Sequence, residues 1–407
     1  MEIRPILSTL RKNQIATALI VLEIALSCAI LCNALFLVSQ RLDNIGQPSG
    51  IAESELLQIR LGGIGSRADA DARTAEDLAA LRAIPGVASA TVANQVPFHG
   101  HGSNTVLSLS PDQVNPTLSA AKYDTHPGLL DTFGLRLVAG RDFLADEYED
   151  GSKLYQMEDL SGVRGTIIVS ASAARRLFPE QGAVGRTVYL GTIPLTIVGV
   201  VDTLARPGVM DGNTSHSVVF PVRLNYDNGG LYLLRVADPA RRDEILEQAV
   251  AALERIDPDR LVQERRSYEE VRNGYFRNDR EMIGLLVTVT LALLLVTALG
   301  IAGLANFWVQ QRTRQIGVRR ALGATRAQIT RYFQTENFLI VGAGIALGML
   351  LAFALNQWLM GHYELPRLPL QYLPAGAAAL WAIGQVAVFG PARKAAGVPP
   401  AIATRGL

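Results

Sequence analysis

Four long apolar runs divide this chain, and the stretch between the first two holds no run long enough to cross a membrane. The runs fall at residues 15–40, 282–309, 336–360 and 372–390. A hydrocarbon layer takes roughly 20 apolar residues of helix, so each run is expected to span one. The first exceeds a signal-peptide core of about 7–15 residues and ends without a small-residue cleavage site, which predicts a retained helix. Glu23 interrupts it. An acid inside a span suggests function by default; near the cytoplasmic end of the run, an interhelical or interfacial structural role is the preferred reading.

The region 41–266 changes period repeatedly. Ser54–Leu61 alternates as a strand does, Thr74–Ala83 has Leu78 and Leu81 on one helical face, and Val87–Ala93 again reads as a strand. Pro97–Pro116 is rich in Gly, Ser, Asn and Pro and reads as an exposed loop. Beyond it a second set of strands and short helices runs to Val222, and then a strand at Leu231–Val236 precedes an amphipathic helix at Arg241–Ile256. The expected fold is an α-helical membrane protein with four transmembrane helices. A large α+β domain of two lobes is inserted between the first and second: a first lobe at about 41–120 and 231–266, and an inserted lobe at about 121–230. Residues 267–281 are expected to form a stalk helix that enters the second span as a stiff rod rising about 1.5 Å per residue. A plain tether is the alternative, because Gly274 is placed to break it.

Charge orients this plan. Arg41–Glu281 carries 25 basic against 33 acidic residues, and the rest of the chain 13 against 4. Basic loops stay inside, so the N-terminus (1–14), the loop at 310–335 and the C-terminus (391–407) are expected to be cytoplasmic, with the large domain and the short loop 361–371 outside. The loop concentrates the charge: Arg312–Phe333 holds six arginines and no acid. Ile316–Leu322 is helix-compatible, Gly323 can end a helix, and Thr325 with Gln328 fits a capping box, so a short helix, a break and a second helix are expected. In the third run, Gly344 and Gly348 have the spacing that lets two helices approach, within one chain or between two copies. Cys28 and Cys32 share a helical face and read as packing residues; a lipoprotein cleavage site fits the residues before them poorly.

Candidate chemistry is sparse. The four lysines, Lys12, Lys122, Lys153 and Lys394, none of them following a glycine, leave no P-loop for ATP. His99 and His101 have no third ligand nearby, so no metal site is expected, and no catalytic or cofactor-binding residue is assigned. Ser170 and Ser172 at a strand-to-helix junction lack a nucleophile elbow and read as capping residues. The acidic loop Asp142–Asp159 lacks the spacing of a calcium loop.

The stretch RQIGVRRALGATRAQI resembles the IG-x-RRALGA signature of the permease family that includes MacB and FtsX. The first apolar run, GRDF at Gly140–Phe143, RRLFPEQGAVGR at Arg175–Arg186 and GVPPAIATR at Gly397–Arg405 resemble further segments of MacB-type members, in the same order. The resemblance implies a non-catalytic permease subunit of an ABC transporter in the bacterial inner membrane. It implies a homodimer, or a pair with a homologous permease, driven by a separate ABC ATPase, with a periplasmic adaptor protein and membrane lipids as further partners and no nucleic acid. It implies that ATP hydrolysis moves the outer domain by mechanotransmission, for export or efflux, through Arg314, Gln315, Ile316, Gly317, Val318, Arg319, Arg320, Ala321, Leu322, Gly323 and Ala324. In that scheme Ile316, Val318 and Leu322 fill an apolar groove on the ATPase, and Arg314, Arg319 and Arg320 meet its acids or lipid headgroups. A signalling or scaffold protein that senses a ligand or activates an extracytoplasmic hydrolase is the rival reading of the same topology.

Overall fold

The computed structural model describes residues 14–62, 68–100, 102–154, 164–208, 215–227, 229–363 and 368–399. His101, Glu364, Arg367, Arg405 and the acidic residues 158 and 159 lie outside them, as does the expected N-terminal segment to residue 13. The chain forms two compact units, one of Met1–Ile45 with Asn278–Leu407 and one of Gly46–Arg277.

In the unit Gly46–Arg277, the first lobe is built on an antiparallel sheet in the order β13–β1–β12–β2. Its strands are β1 (Leu56–Gly62), β2 (Val87–Ala93), β12 (Leu231–Val236) and β13 (Leu261–Ser267). Helices α2 (Ala70–Arg82) and α6 (Arg242–Ile256) cover one face. There Leu78, Leu81, Ile245, Ala249 and Leu253 join Leu57, Ile59, Tyr232 and Leu234 in one core. Helix α6 has Asp243 and Glu244 in its first turn and Arg255 in its last, an arrangement that suits the helix dipole.

The second lobe is a mixed sheet in the order β3–β4–β10–β7–β9–β5, with β8 paired to β9. It contains β3 (Asn104–Leu107), β4 (Leu118–Asp124), α3 (Leu129–Phe133), β5 (Leu137–Gly140), β7 (Gly165–Ser170), α5 (Ala171–Leu177), β8 (Thr187–Leu190), β9 (Ile193–Val201) and β10 (Ser217–Phe220). Beside it β6 (Glu149–Asp150), leading into α4 (Gly151–Leu154), pairs with β11 (Val222–Arg223). The expected boundary near residue 120 moves back to Asn104. Strand β3 is only four residues long and lies within the polar, loop-like stretch, where its alternation of exposed and buried positions is easily missed. The lobes are not independent. The inner faces of the two sheets meet in one cluster, with Leu56, Leu231 and Leu233 against Tyr123, Ile168 and Val219. Gly140 ends β5 at φ +77°, and a side chain there would run into the Val198 carbonyl of β9, so the glycine of the GRDF motif is a steric requirement. Ser170 caps α5 by accepting a hydrogen bond from the Ala173 amide at 3.4 Å.

Helix α7 (Tyr268–Tyr275) opens on a capping box, in which the Ser267 hydroxyl accepts from the Glu270 amide and the Glu270 carboxylate from the Ser267 amide. It does not run on as a rod. Phe276 leaves the helix and is fully buried, its ring 5.1 Å from Phe98 and 4.8 Å from Tyr275, with the Arg272 guanidinium over both Phe98 and Phe276. Burying this ring outweighs one unbroken helix, and a new helix starts at Arg277. The break is at Phe276 and not at Gly274, which stays helical.

Among the described residues, the other unit holds four helices long and apolar enough to cross a membrane: α1 (Gln14–Ile45), α8 (Arg277–Gln311), α10 (Arg326–Tyr363) and α11 (Tyr372–Ala396). Helix α1 packs against α10 and α11. A Cβ on Gly344 of α10 would sit 2.6 Å from Ile24, and one on Gly348 would sit 2.5 Å from the Cys28 Cβ and 2.6 Å from the Ala25 carbonyl. The glycine pair is thus used within the chain, to seat α10 on α1. Gly376 of α11 makes room in the same way for the Cys32 thiol. Both cysteines are free and buried. Glu23 reaches α8, where its carboxylate occupies the space over Gly300. Ser27 and Thr297 are hydrogen-bonded at 2.8 Å, and Arg41 pairs with Asp279.

Candidate functional site

The arginine-rich loop folds as one short helix, α9 (Thr313–Ala321), closed by Gly323 at φ +97°. The capping box is present: the Thr325 amide donates to the Gln328 side chain at 2.8 Å, and the Gln328 amide to the Thr325 hydroxyl at 3.2 Å. The helix it starts is α10 itself. No glycine or proline separates Arg326 from the third apolar run, so the expected second loop helix and the third span are one element.

Helix α9 has two unlike faces. Ile316 and Gly317 are buried, Ile316 among Ile329 and Phe333 of α10 and Ala392, Ala395 and Ala396 of α11. Val318 and Leu322 are 44% and 83% exposed. Arg314, Gln315, Arg319 and Ala321 are exposed as well. Ile316 therefore cannot fill a groove on another protein as expected: it closes the helix's own core. Its i to i+6 spacing to Leu322 puts the two on different faces of a helix.

The arginines divide in the same way. Arg312, at the junction of α8 and α9, is almost wholly buried, and its Nη1 donates to both carboxylate oxygens of Glu336 of α10, at 3.0 and 2.9 Å. Glu336 is the first acid after the long acid-free stretch, and folding brings it back to the first arginine of the loop. The Arg312 guanidinium also lies 5.3 Å from the Trp308 ring centre. Arg320 turns inward and donates to the carbonyls of Ala396 at 3.2 Å and Val398 at 2.7 Å, just past the end of α11. It is thus not directed at an outside acid as expected. Arg319 lies over Tyr332, 5.0 Å from the ring centre, and remains exposed. The outer face of α9 thus combines Arg314, Val318, Arg319 and Leu322, two cations around two aliphatic side chains. Sequence reasoning missed the Arg312 to Glu336 pair. The acid-free run was a signal for it, because a buried cation needs the nearest available acid.

In the other unit, His99 is 3.9 Å from Glu264. Burial and the neighbouring Arg60 hold its imidazole below the usual range. Among the described residues, no group of three or more His, Cys, Asp or Glu is arranged to hold a metal.

Comparison with known proteins matches residues 17–252 to the MacB-like periplasmic core domain and residues 287–400 to the FtsX-like permease C-terminal region. The chain is 26% identical over 314 residues to the macrolide export ATP-binding/permease protein MacB of Chromobacterium violaceum, covering 71% of this chain and 46% of that one. With the MacB of Marinobacter nauticus it shares 24% identity over 410 residues, 96% of this chain and 58% of the relative. With the pyoverdine export ATP-binding/permease protein PvdT of Pseudomonas syringae it shares 26% over 258 residues, 60% and 38%. The chain thus spans about half the length of the curated relatives it matches. The solved periplasmic region of MacB from Actinobacillus actinomycetemcomitans aligns with a TM-score of 0.34 at 16% identity, over 57% of this chain and 97% of that one. Four apolar helices, an α+β domain between the first two, and two family matches that together take in both place this chain in the MacB/FtsX-like permease family.

Proposed function

We propose that this protein is the permease subunit of an ABC-type exporter, and that a separate ATPase docks on the outer face of α9. The observation that carries the reading is the division of α9 itself: Ile316 is spent on the protein's own core, while Val318 and Leu322 stand in solvent beside Arg314 and Arg319. Aliphatic side chains ringed by cations fit an apolar groove with acidic margins. The charge asymmetry supports a cytoplasmic α9 in the inner membrane and an outer domain in the periplasm. The similarity to MacB and PvdT supports export as the purpose, a paired permease and a periplasmic adaptor as partners, and mechanotransmission as the mode of action.

Copurification with the ATPase tests this. A Val318→Glu/Leu322→Glu variant is expected to lose the ATPase while keeping the melting temperature of the wild type, because neither side chain is buried. Retained ATPase binding in that variant would rule out α9 as the docking element.

A further inference from the structure

We propose that Arg320 is a positioning residue that fastens α9 to the end of α11, so that load on α9 reaches the fourth span directly. This rests on the reading of α9 as the docking element.

The argument begins with where Arg320 points. It sits in the last turn of an exposed helix, two residues before a leucine that is 83% exposed, and yet it is half-buried with both contacts inward. One guanidinium nitrogen spans two carbonyls, those of Ala396 and Val398, where α11 has run out of helical hydrogen-bond donors. A cation there also meets the negative end of the helix dipole. Beneath it, Ala392, Ala395 and Ala396 present small side chains to Ile316, which lets α9 lie close on α11.

The other end of α9 is held independently. The Arg312 to Glu336 pair ties the start of α9 to α10, and the Asn337 amide donates to the Gly384 carbonyl at 2.9 Å, tying α10 to α11. Helix α9 is consequently a strut fixed at both ends and not a flap hanging from α8. A push on Val318 and Leu322 is shared among α8, α10 and α11, and Arg320 carries the share of α11. That nitrogen is held in a rigid planar group, whereas a lysine ammonium rides on a flexible four-carbon stem, so Arg320→Lys should hold less firmly.

The test uses the full chain with Cys28→Ala and Cys32→Ala and nitroxide labels at Ala321 and Lys394, both exposed positions. With Arg320 present the distance between labels should form one narrow distribution. Arg320→Ala should broaden it, and Arg320→Lys should fall between. In parallel, Arg320→Ala should bind the ATPase within about twofold of wild type while permease-stimulated ATP hydrolysis drops on the order of tenfold, the size of a typical coupling factor. An unchanged label distance in Arg320→Ala overturns the fastening, and unchanged stimulation overturns its role in load transfer. If Val318→Glu/Leu322→Glu still binds the ATPase, the docking reading fails instead, and the label distance alone decides whether α9 is fastened.

Discussion

Asp77 and Arg260 meet in the first lobe with both side chains almost fully removed from water. Arg260 donates to Asp77 at 2.8 Å, and the Tyr232 hydroxyl donates to the same carboxylate at 2.5 Å. Removing one partner strands the other charge, so Arg260→Ala should cost about 3–5 kcal/mol, while Asp77→Leu/Arg260→Met should recover most of that. Chemical denaturation of the three proteins checks this, and a single variant as stable as wild type would contradict it. His126 gives a pH dependence. Burial pushes its imidazole down to about 4, where the ring is 2.8 Å from the Leu224 carbonyl. The neutral ring is the folded form, so its contribution is complete above the ordinary value near 6.5 and is lost as pH falls through the interval down to about 4. That loss is on the order of 3 kcal/mol. His99 and His216 are lowered too, mainly by burial, and act in the same direction. Melting temperature between pH 7 and pH 4 should therefore fall less steeply in His126→Gln, without becoming flat.

The helices test how closely local pattern controls packing. Gly348→Ala places a Cβ against Cys28 and Ala25 and should destabilise by about 1–3 kcal/mol, the usual cost of overpacking. Gly342→Ala is the control: its nearest neighbour would be Trp381 at 4.0 Å, and the thermal midpoint in detergent should not move. Equal midpoints for the two variants would mean that α1 and α10 are not seated as described. Apolar length alone located the four spans, and the Thr325 to Gln328 box was legible because capping is a local interaction. The break at Phe276 was not legible. Gly274 marked a possible break nearby but stays helical, and what ends α7 is a ring distant in sequence, Phe98, reached only through tertiary packing. The same holds for Ile316, whose inward orientation depends on alanines near the end of α11 some 76 or more residues away along the chain.

At the scale of the whole molecule, the insertion of one lobe into another was visible in the strand and helix order, whereas the shared core was not, since it depends on which faces of two sheets meet. The side of the membrane on which each unit lies can be read with thiol chemistry. A cysteine replacing Val114, 91% exposed, should react with a membrane-impermeant maleimide once the outer barrier is opened. One replacing Leu322 should react only after the inner membrane is broken. Equal reaction before lysis would contradict the proposed orientation. Such labelling has little background, because Cys28 lies under Gly348 and Cys32 against Gly376. That placement turns the two native thiols into built-in strain gauges. Each is silent while its helix pair stays closed, and each would report, on a different seam, the moment at which a working cycle pries the bundle apart.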